Sequence, residues 1–559
     1  MYLENNEILT EEQNGFRAGR SCIDHLFVLC TVIRNRKMLS KDTFLCFVDY
    51  KKAFDTVNRN LLLYKLSVIG VTGYMYRAIS SMFANPRSRV ILQDYATDYF
   101  DCPMGVKQGD CLSPTLFAVY INDLADIIKD SGIGVELVTR DSAGIDEVMV
   151  VNILLYADDI VLLTKDECDM QSLLDLVQDW CEKWRLEVNL AKTNILHVRP
   201  KRKAQSRFMF LFNRRPVPYC SEYKYLGCYI TEHLDYIYSV DRQVENAGRA
   251  LSSIISKMIK NKGLPYNVFS TLYSACLCSI SQYGSEVFGY QHSDSMLKLQ
   301  LRASRAFLGL PKNTASCGLL SELDWLLPLY QSHIKMIQYF GRIMLTPSHR
   351  LLYKVYKWDR DLYERGKIKT WSYEVKSILN DLGMCHIFDS EHIFPVQSVA
   401  AEMQRSLKVK QTENLTTECS EKPKLRTFIT FKDFATLPPH LTKPLTFIER
   451  KLVSKLRLGS LPLRIETGRF ARPPLPEQER VCYCGSQEVE TESHLLFQCN
   501  KYASLRQVWF DSLNIPSNFN DLPENKKFDL VLNNSDNIKQ TARFLVSAMD
   551  LRGLLNKMY

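Results

Sequence analysis

Three carboxylates stand where carboxylates are costly. Asp49 ends the apolar run TFLCFVD, and Asp158 and Asp159 lie between two apolar runs in LLYADDIVLL. An acid in such a run is expensive unless it is paired or binds a metal. Neighbouring residues on a strand point to opposite faces, but at a hairpin tip both can reach one site. Hard Mg²⁺ takes oxygen ligands, commonly one or two carboxylates plus substrate phosphates. Two such ions would activate a 3′-hydroxyl and stabilise a pyrophosphate leaving group. Taken alone, the same acids could simply end strands.

A second set lies near the other end of the chain. Cys482, Cys484, His494 and Cys499 follow the spacing C-x-C-x9-H-x4-C. Three thiolates and an imidazole are a legitimate structural Zn²⁺ set, although C-x-C is tighter than the usual C-x2-C. The competing reading is inert buried cysteines. A third feature is charge. Residues 185–262 hold fifteen Lys or Arg against six Asp or Glu, so this segment alone accounts for the net charge of +9. Clustered charge of one sign favours a polyanion partner, though a solvated face is the bland alternative. Within it, PKRK and then KAQSRFMFLFNRRP set Lys201, Arg202, Lys203, Arg214 and Arg215 around Phe208, Phe210 and Phe212. Aromatics among cations can stack bases. Here they read better as the core face of a strand, which leaves the basic heads to bind phosphate.

The elements that must position these groups can be read in order. The run at 43–49 predicts a buried strand. Helical spacing follows over 59–69 and 74–84, then a strand-like RVILQ at 89–93. Turn-rich DCPMGVKQGDCLSP leads into an apolar helix, TLFAVYINDLADIIK. VMVVNILLYADDIVLLT splits into two β-rich runs around YADD, which predicts a hairpin with an acidic tip. QSLLDLVQDWCEKW sets Leu173, Val177, Trp180 and Trp184 on one helical face. Strand, helices, strand, hairpin and helix make an α+β domain. The chain becomes basic and β-like after Lys192, and helical from about Tyr236. Residues 402–425 are polar and unpatterned, which predicts a linker.

With 559 residues the chain can bury several cores, and 46% hydrophobic with 24% charged residues is an ordinary globular balance. Seventeen scattered cysteines suit a reducing compartment rather than a disulfide framework. There is no signal-peptide core at the start and no apolar run of the roughly 18 residues a membrane span needs. The expectation is an intracellular protein, nuclear or cytoplasmic, with no membrane partner.

FVDYKKAFDTV, GVKQGDCLSPTLFAVYINDL, LLYADDIVLL, LEVNLAKTNIL and YKYLGCYI occur in the order of the palm motifs of reverse transcriptases. Their wording, with NGFRAGRSCIDHL before them, resembles the non-LTR (LINE-type) retrotransposon family. The resemblance covers about residues 8–235, continues more weakly to 345 and resumes over the Cys/His segment. It implies a right-hand polymerase fold with palm, partial fingers and helical thumb. It also implies two Mg²⁺ ions (Mn²⁺ possible), deoxynucleoside triphosphates, an RNA template, a DNA primer and their RNA–DNA hybrid. Asp49 and Asp158 match the metal-binding acids, with Asp159 the third carboxylate. Val48 and Tyr50 flank Asp49, where backbone would lie along the triphosphate. Phe54 matches the bulky side chain that meets the sugar 2′ position; its alternative is a core aromatic. Gly105 and Gly109 would let the chain approach the nascent base pair, and Gln108 matches a residue contacting nucleotide and template. An ordinary turn before a helix is equally open, since Ser113-Pro114 suits a helix start. Lys192 matches a lysine that protonates pyrophosphate; a surface lysine is the alternative. Arg17 and Arg20 match a fingers motif contacting template or triphosphate oxygens. Tyr225, Leu226 and Gly227 match the primer grip. The Cys/His set resembles a knuckle found after the polymerase in such families.

The expected organisation is fingers remnant and palm over 1–235, a helical thumb and post-thumb region over 236–345, a helical and linker region over 346–425, and a C-terminal region with the knuckle over 426–559. Most of the fingers and the upstream endonuclease of such elements are missing from the sequence, which reads as an N-terminally truncated copy. Three functions follow: an RNA-directed DNA polymerase, a catalytically inactive nucleic-acid-binding remnant, and an RNA-dependent RNA polymerase. Phe54 and the YADD wording argue against the third.

Overall fold

The computed structural model describes residues 2–140, 145–291, 293–366, 368–390 and 393–553. They fall into two compact units. The first comprises Met1–Ser239, Gly284–Gln291 and Lys335–Gln397, and the second Val240–Tyr283, His292–Ile334 and Ser398–Tyr559.

The first unit is built on a four-stranded antiparallel sheet in the order Asn194–Val198, Thr43–Val48, Asp159–Thr164, Ile153–Tyr156. All six residues of the Thr43–Val48 strand are buried, because helices and a hairpin cover both faces, and a strand covered twice reads as a continuous apolar run. Phe44, Cys46 and Val48 join the core of helices Ser113–Asp130 and Glu167–Trp184. On the other face Phe47 stacks on Tyr223 at 4.0 Å. Leu173, Val177, Trp180 and Trp184 are buried along one face of Glu167–Trp184, as their spacing predicts.

Helix Cys22–Met38 begins with a capping box between Ser21 and Asp24. Asp24 is fully buried and meets Arg342 Nη2 at 2.7 Å and Tyr339 OH at 3.1 Å. Asn35 Nδ2 donates to Asp359 Oδ1 at 2.8 Å, and Asp359 Oδ2 also accepts from Ser372 N and Oγ. Helices Leu351–Glu364 and Trp371–Asn380 are therefore tied to the first unit by buried polar pairs. Apolar spacing finds such helices but does not say which core they join.

The strand expected at RVILQ is short: Ile91–Leu92 pairs with Tyr95–Ala96 in an exposed hairpin. The stretch at 402–425 is not a linker, for most of it lies in helix Val396–Ser420. Val399, Met403, Leu407, Gln411, Leu415 and Cys419 make its buried stripe. One apolar residue per turn, with a glutamine among them, is too sparse to stand out in a polar sequence. Gln411 is buried because its side chain is bonded: Nε2 donates to Trp325 O at 3.0 Å and Oε1 accepts from Leu327 N at 2.8 Å.

The second unit is helical. Its core joins Leu251, Phe269, Phe307 and Trp325 to Leu452, Leu456 and Leu545. Inside it, Arg457 makes two 3.0 Å bonds to the carboxylate of Glu322, both residues essentially without exposure.

Candidate active site and metal centre

Strand register brings the acids together. Val48 pairs with Ile160, so the next residue along, Asp49, comes beside Asp159. Tyr156 pairs with Asp159, which makes Ala157-Asp158 a two-residue turn. Burial pushes the Asp159 carboxyl up to about 6, and the charges of Asp158 and then Asp49 add to the shift. Although Asp159 is partly open to solvent, its ionised form is disfavoured by its two neighbours, as expected where carboxylates crowd a site that suits a cation. Asn189 Nδ2 donates to Asp49 Oδ2 at 2.9 Å, the Asp49 N–H donates to Thr193 Oγ1 at 3.2 Å, and Lys192 Nζ lies 3.9 Å from Asp49 Oδ2. Val48 and Tyr50 point the other way, into the core, as alternation along a strand requires.

The acidic turn is held from outside. Ala157 has φ +55, a conformation alanine rarely adopts. Buried Gln13 accepts through Oε1 from Gly15 N at 2.8 Å and Ala157 N at 3.3 Å. A Cβ on Gly15 would stand 2.3 Å from Ala157 N. Backbone bonds from Asn14 N to Leu155 O and from Leu155 N to Glu12 O complete the brace. The sequence flagged NGF only as part of a motif; its contact with YADD is a tertiary fact.

GVKQG is an exposed turn fixed at its root. Gly105 has φ +82, and a Cβ there would lie 2.6 Å from Asp55 O. Gly105 N donates to Val57 O and Val106 N to Phe54 O, each at 2.8 Å. Arg59, which the sequence did not single out, donates to Gly105 O at 2.8 Å, Met104 O at 3.0 Å and Cys102 O. Gln108 and Gly109 are exposed beyond this root, and Gly109 has φ +89. The half-buried ring of Phe54 stacks on Phe117 at 4.6 Å.

The family model for reverse transcriptase (RNA-dependent DNA polymerase) matches residues 1–230. This region is thus similar to reverse transcriptase domains, and its curated relatives are polymerases of mobile elements. The RNA-directed DNA polymerase from mobile element jockey of Drosophila melanogaster is 27% identical over 47% of this chain and 28% of its own length. The probable RNA-directed DNA polymerase from transposon BS of the same fly is 22% identical over 54% of this chain and 32% of its own. The chain thus spans about a third or less of these relatives. Telomerase from Candida albicans, solved with a fragment of telomeric RNA, covers 78% of this chain and 56% of its own at 11% identity and a TM-score of 0.30, too slight a likeness to bear on function.

Arg17 and Arg20 are both held by protein carboxylates. Arg17 donates to both Glu4 oxygens at 2.8 and 2.7 Å, and to Thr10 O and Gln13 O. Arg20 holds Glu11 at 2.5 Å and Asn14 Oδ1 at 3.0 Å. A buried guanidinium needs a nearby acid, and here each has a protein carboxylate in place of a phosphate.

Tyr225 is buried, and Leu226 and Gly227 form the two-residue turn between Tyr225 and Cys228 with φ +44 and +87, as type I′ turns require. Lys201, Arg202, Lys203, Arg214 and Arg215 are all exposed, with Lys203 paired to Asp42. Phe210 and Phe212 are in the core and Phe208 is exposed, so two of the three aromatics pack as the strand reading predicts. Among the described residues, no helix is long and apolar enough to cross a membrane.

In the second unit, the ligand atoms of Cys482, Cys484, His494 and Cys499 all lie within 4.8 Å of one another. The Cys482 and Cys499 sulfurs are 3.8 Å apart, the edge of roughly 3.8 Å that a tetrahedron with Zn–S bonds of about 2.3 Å has. Cys484 Sγ lies 3.4 Å from His494 Nε2, while Glu488 Oε2 meets His494 Nδ1 at 2.8 Å. Burial pushes the Cys484 thiol up, but hydrogen bonds from Ser486, His494 and Cys482 outweigh it and bring it down to about 6. These four residues can hold a metal ion. The tight C-x-C spacing is no obstacle, for both sulfurs reach the same centre.

Proposed function

We propose that this chain is an RNA-directed DNA polymerase of a non-LTR retrotransposon, extending a DNA primer on an RNA template with deoxynucleoside triphosphates. The observation that supports it most is the meeting of Asp49 with the Asp158-Asp159 turn at one end of the sheet. Asp49, Asp158 and Asp159 would hold two Mg²⁺ ions, with Mn²⁺ able to replace them. Bound there, the ions supply charge stabilisation to the attacking and leaving oxygens.

The remaining work belongs to the chain. Asn189 fixes the Asp49 carboxylate. Lys192, 69% exposed and beside Asp49, is free to give a proton to the leaving pyrophosphate. The backbone of Val48 and Tyr50 lies along the triphosphate, and Gln108 and Gly109 meet the nascent pair. The Phe54 ring excludes a ribose 2′-hydroxyl. Arg17 and Arg20 brace this edge through Glu4 and Glu11. The turn of Tyr225, Leu226 and Gly227 holds the primer end, and Lys201, Arg202, Lys203, Arg214 and Arg215 carry backbone contacts. Zn²⁺ at Cys482, Cys484, His494 and Cys499 is structural.

The test is extension of oligo(dT) on poly(rA) with dTTP and Mg²⁺. The reading predicts DNA products that stop on dideoxy-TTP. Binding of the hybrid without extension would make the chain an inactive remnant instead.

A further inference from the structure

We propose that His25 is a positioning residue for primer extension, setting the turn of Tyr225, Leu226 and Gly227 against the acidic turn at Ala157-Asp158. This rests on the reading that the first of these turns holds the primer end. His25 lies in the first half of helix Cys22–Met38, where Leu26, Phe27, Val28 and Leu29 beside it are all buried. It is itself only 1% exposed. An imidazole in such a place costs free energy unless it is bonded. Its Nδ1 lies 3.4 Å from the hydroxyl of Tyr225, which is buried as well. Burial keeps the ring neutral, so Nδ1 is able to accept the Tyr225 O–H. The same ring stands edge-on to Tyr156, with centroids 5.9 Å apart. Tyr156 is the last residue before the acidic turn and pairs with Asp159 across it. One side chain thus touches the residue that opens each turn.

The hairpin that carries Tyr225 is fixed to the palm sheet differently at its two ends. At its root, Cys220 N donates to Ile195 O at 2.8 Å and Arg199 N to Glu232 O at 3.0 Å. Towards its tip it meets the sheet through rings: Tyr223 stacks on Phe47 at 4.0 Å, and Tyr225 lies tilted over Phe47 at 5.5 Å. Stacked faces hold the gap between two layers but allow sliding in the plane, whereas a hydrogen bond has a direction. The bond to His25 supplies that direction at the tip, where the primer end would be placed against the acids. Reacting atoms have to be within about 3–3.5 Å for in-line attack, and a shift of about 1 Å costs about a hundredfold in rate. A slack tip would therefore slow the reaction while leaving the hybrid bound.

The experiment uses the full chain. Addition of a single dTTP to a poly(rA)·oligo(dT) hybrid gives the maximal rate and the KM for dTTP, and anisotropy gives hybrid affinity. His25→Leu should lower the maximal rate about 30- to 100-fold, with KM and hybrid affinity within about threefold of wild type. Tyr225→Phe, which removes the hydroxyl and keeps the ring, should show the same split, and the double variant should be no slower than His25→Leu alone. If His25→Leu melts early, Tyr225→Phe decides. A second readout needs no catalysis: a primer ending in 2-aminopurine opposite uridine should change its fluorescence on binding wild type, and the variants should lose that change. Where wild type extends, the rate split decides; where it does not, the probe decides. A folded variant with the wild-type rate would overturn the inference, as would KM and affinity worsening in step with the rate, or single effects that simply add. Wild type that fails to extend, with a probe response that the variants lose, would sink the polymerase reading and leave this one standing. Wild type that extends, with unchanged variants, would do the reverse. Wild type that neither extends nor alters the probe would overturn both.

Discussion

At position 15 there is no room for a methyl group. An ideal Cβ there meets a backbone nitrogen of the acidic turn at 2.3 Å, and backbone cannot swing aside as a side chain can. Gly15→Ala should therefore displace Ala157 and Asp158 and cut primer extension at least tenfold, with far-UV circular dichroism unchanged. Near-normal extension by that variant would mean that the brace does not hold the turn. Phe54 gives a second prediction. Phe54→Val should raise incorporation of ribonucleotides relative to deoxynucleotides by about tenfold or more in competition assays, since it removes bulk from a half-exposed ring. Some of the ring's contact with Phe117 would be lost as well, at a cost of about 1–3 kcal/mol. Unchanged selectivity in a folded protein would make Phe54 a packing residue only. The acids were legible in the sequence because charge inside an apolar run is conspicuous. Gln13, Arg59 and Asn189 were not, because ordinary polar residues gain their roles only from what the fold sets beside them.

Among elements, the palm strands and helices were readable because burial on one or two faces leaves a period in the sequence. Helix Val396–Ser420 was missed because its buried stripe is thin and partly polar. The basic hairpin was readable for charge and only partly for shape: Phe210 and Phe212 turn inward while Arg214 and Arg215 stay out. Reversing Lys201, Arg202, Arg214 and Arg215 should flatten the salt slope of hybrid binding by about three. A slope left as in wild type would place the duplex elsewhere. In the Cys/His loop, Glu488 holds the far nitrogen of His494, the usual way a carboxylate fixes a ligating imidazole. Glu488→Gln should weaken Zn²⁺ binding about 10- to 100-fold in a chelator competition. Protein purified without zinc, and unable to take it up, would contradict the metal assignment itself.

At the scale of the whole molecule, each unit buries a histidine that stays neutral. Burial, together with the charge of Arg20, lowers His25 to about 3 in the first unit. In the second, burial lowers His440 to about 3. Glu322, 3.2 Å away, opposes that shift, but Arg457, Lys432 and Arg450 reinforce it. Below the unfolded histidine pKa near 6.5 the unfolded chain takes up protons that the folded chain refuses, so stability falls as pH falls from about 6.5 towards 3. Glu322, held down to about 2, adds a loss in the same direction from about pH 4.5 downward. Each histidine should contribute roughly 1.4 kcal/mol per pH unit. Urea midpoints measured from pH 7 to pH 5 should fall accordingly, and His440→Gln should reduce the pH dependence. Equal midpoints at pH 7 and pH 5 would contradict it.

The central claim is that Asp49 and Asp158 serve the reaction rather than the fold. Primer extension on poly(rA)·oligo(dT) should be measured beside hybrid affinity for wild type, Asp49→Asn and Asp158→Asn. Both acids stand at the open end of the sheet, and among the described residues neither makes a buried ion pair, so neither substitution should cost much stability. Extension should fall at least a thousandfold in each variant, with hybrid affinity within about twofold of wild type. A variant that keeps more than a few per cent of wild-type extension would contradict the claim.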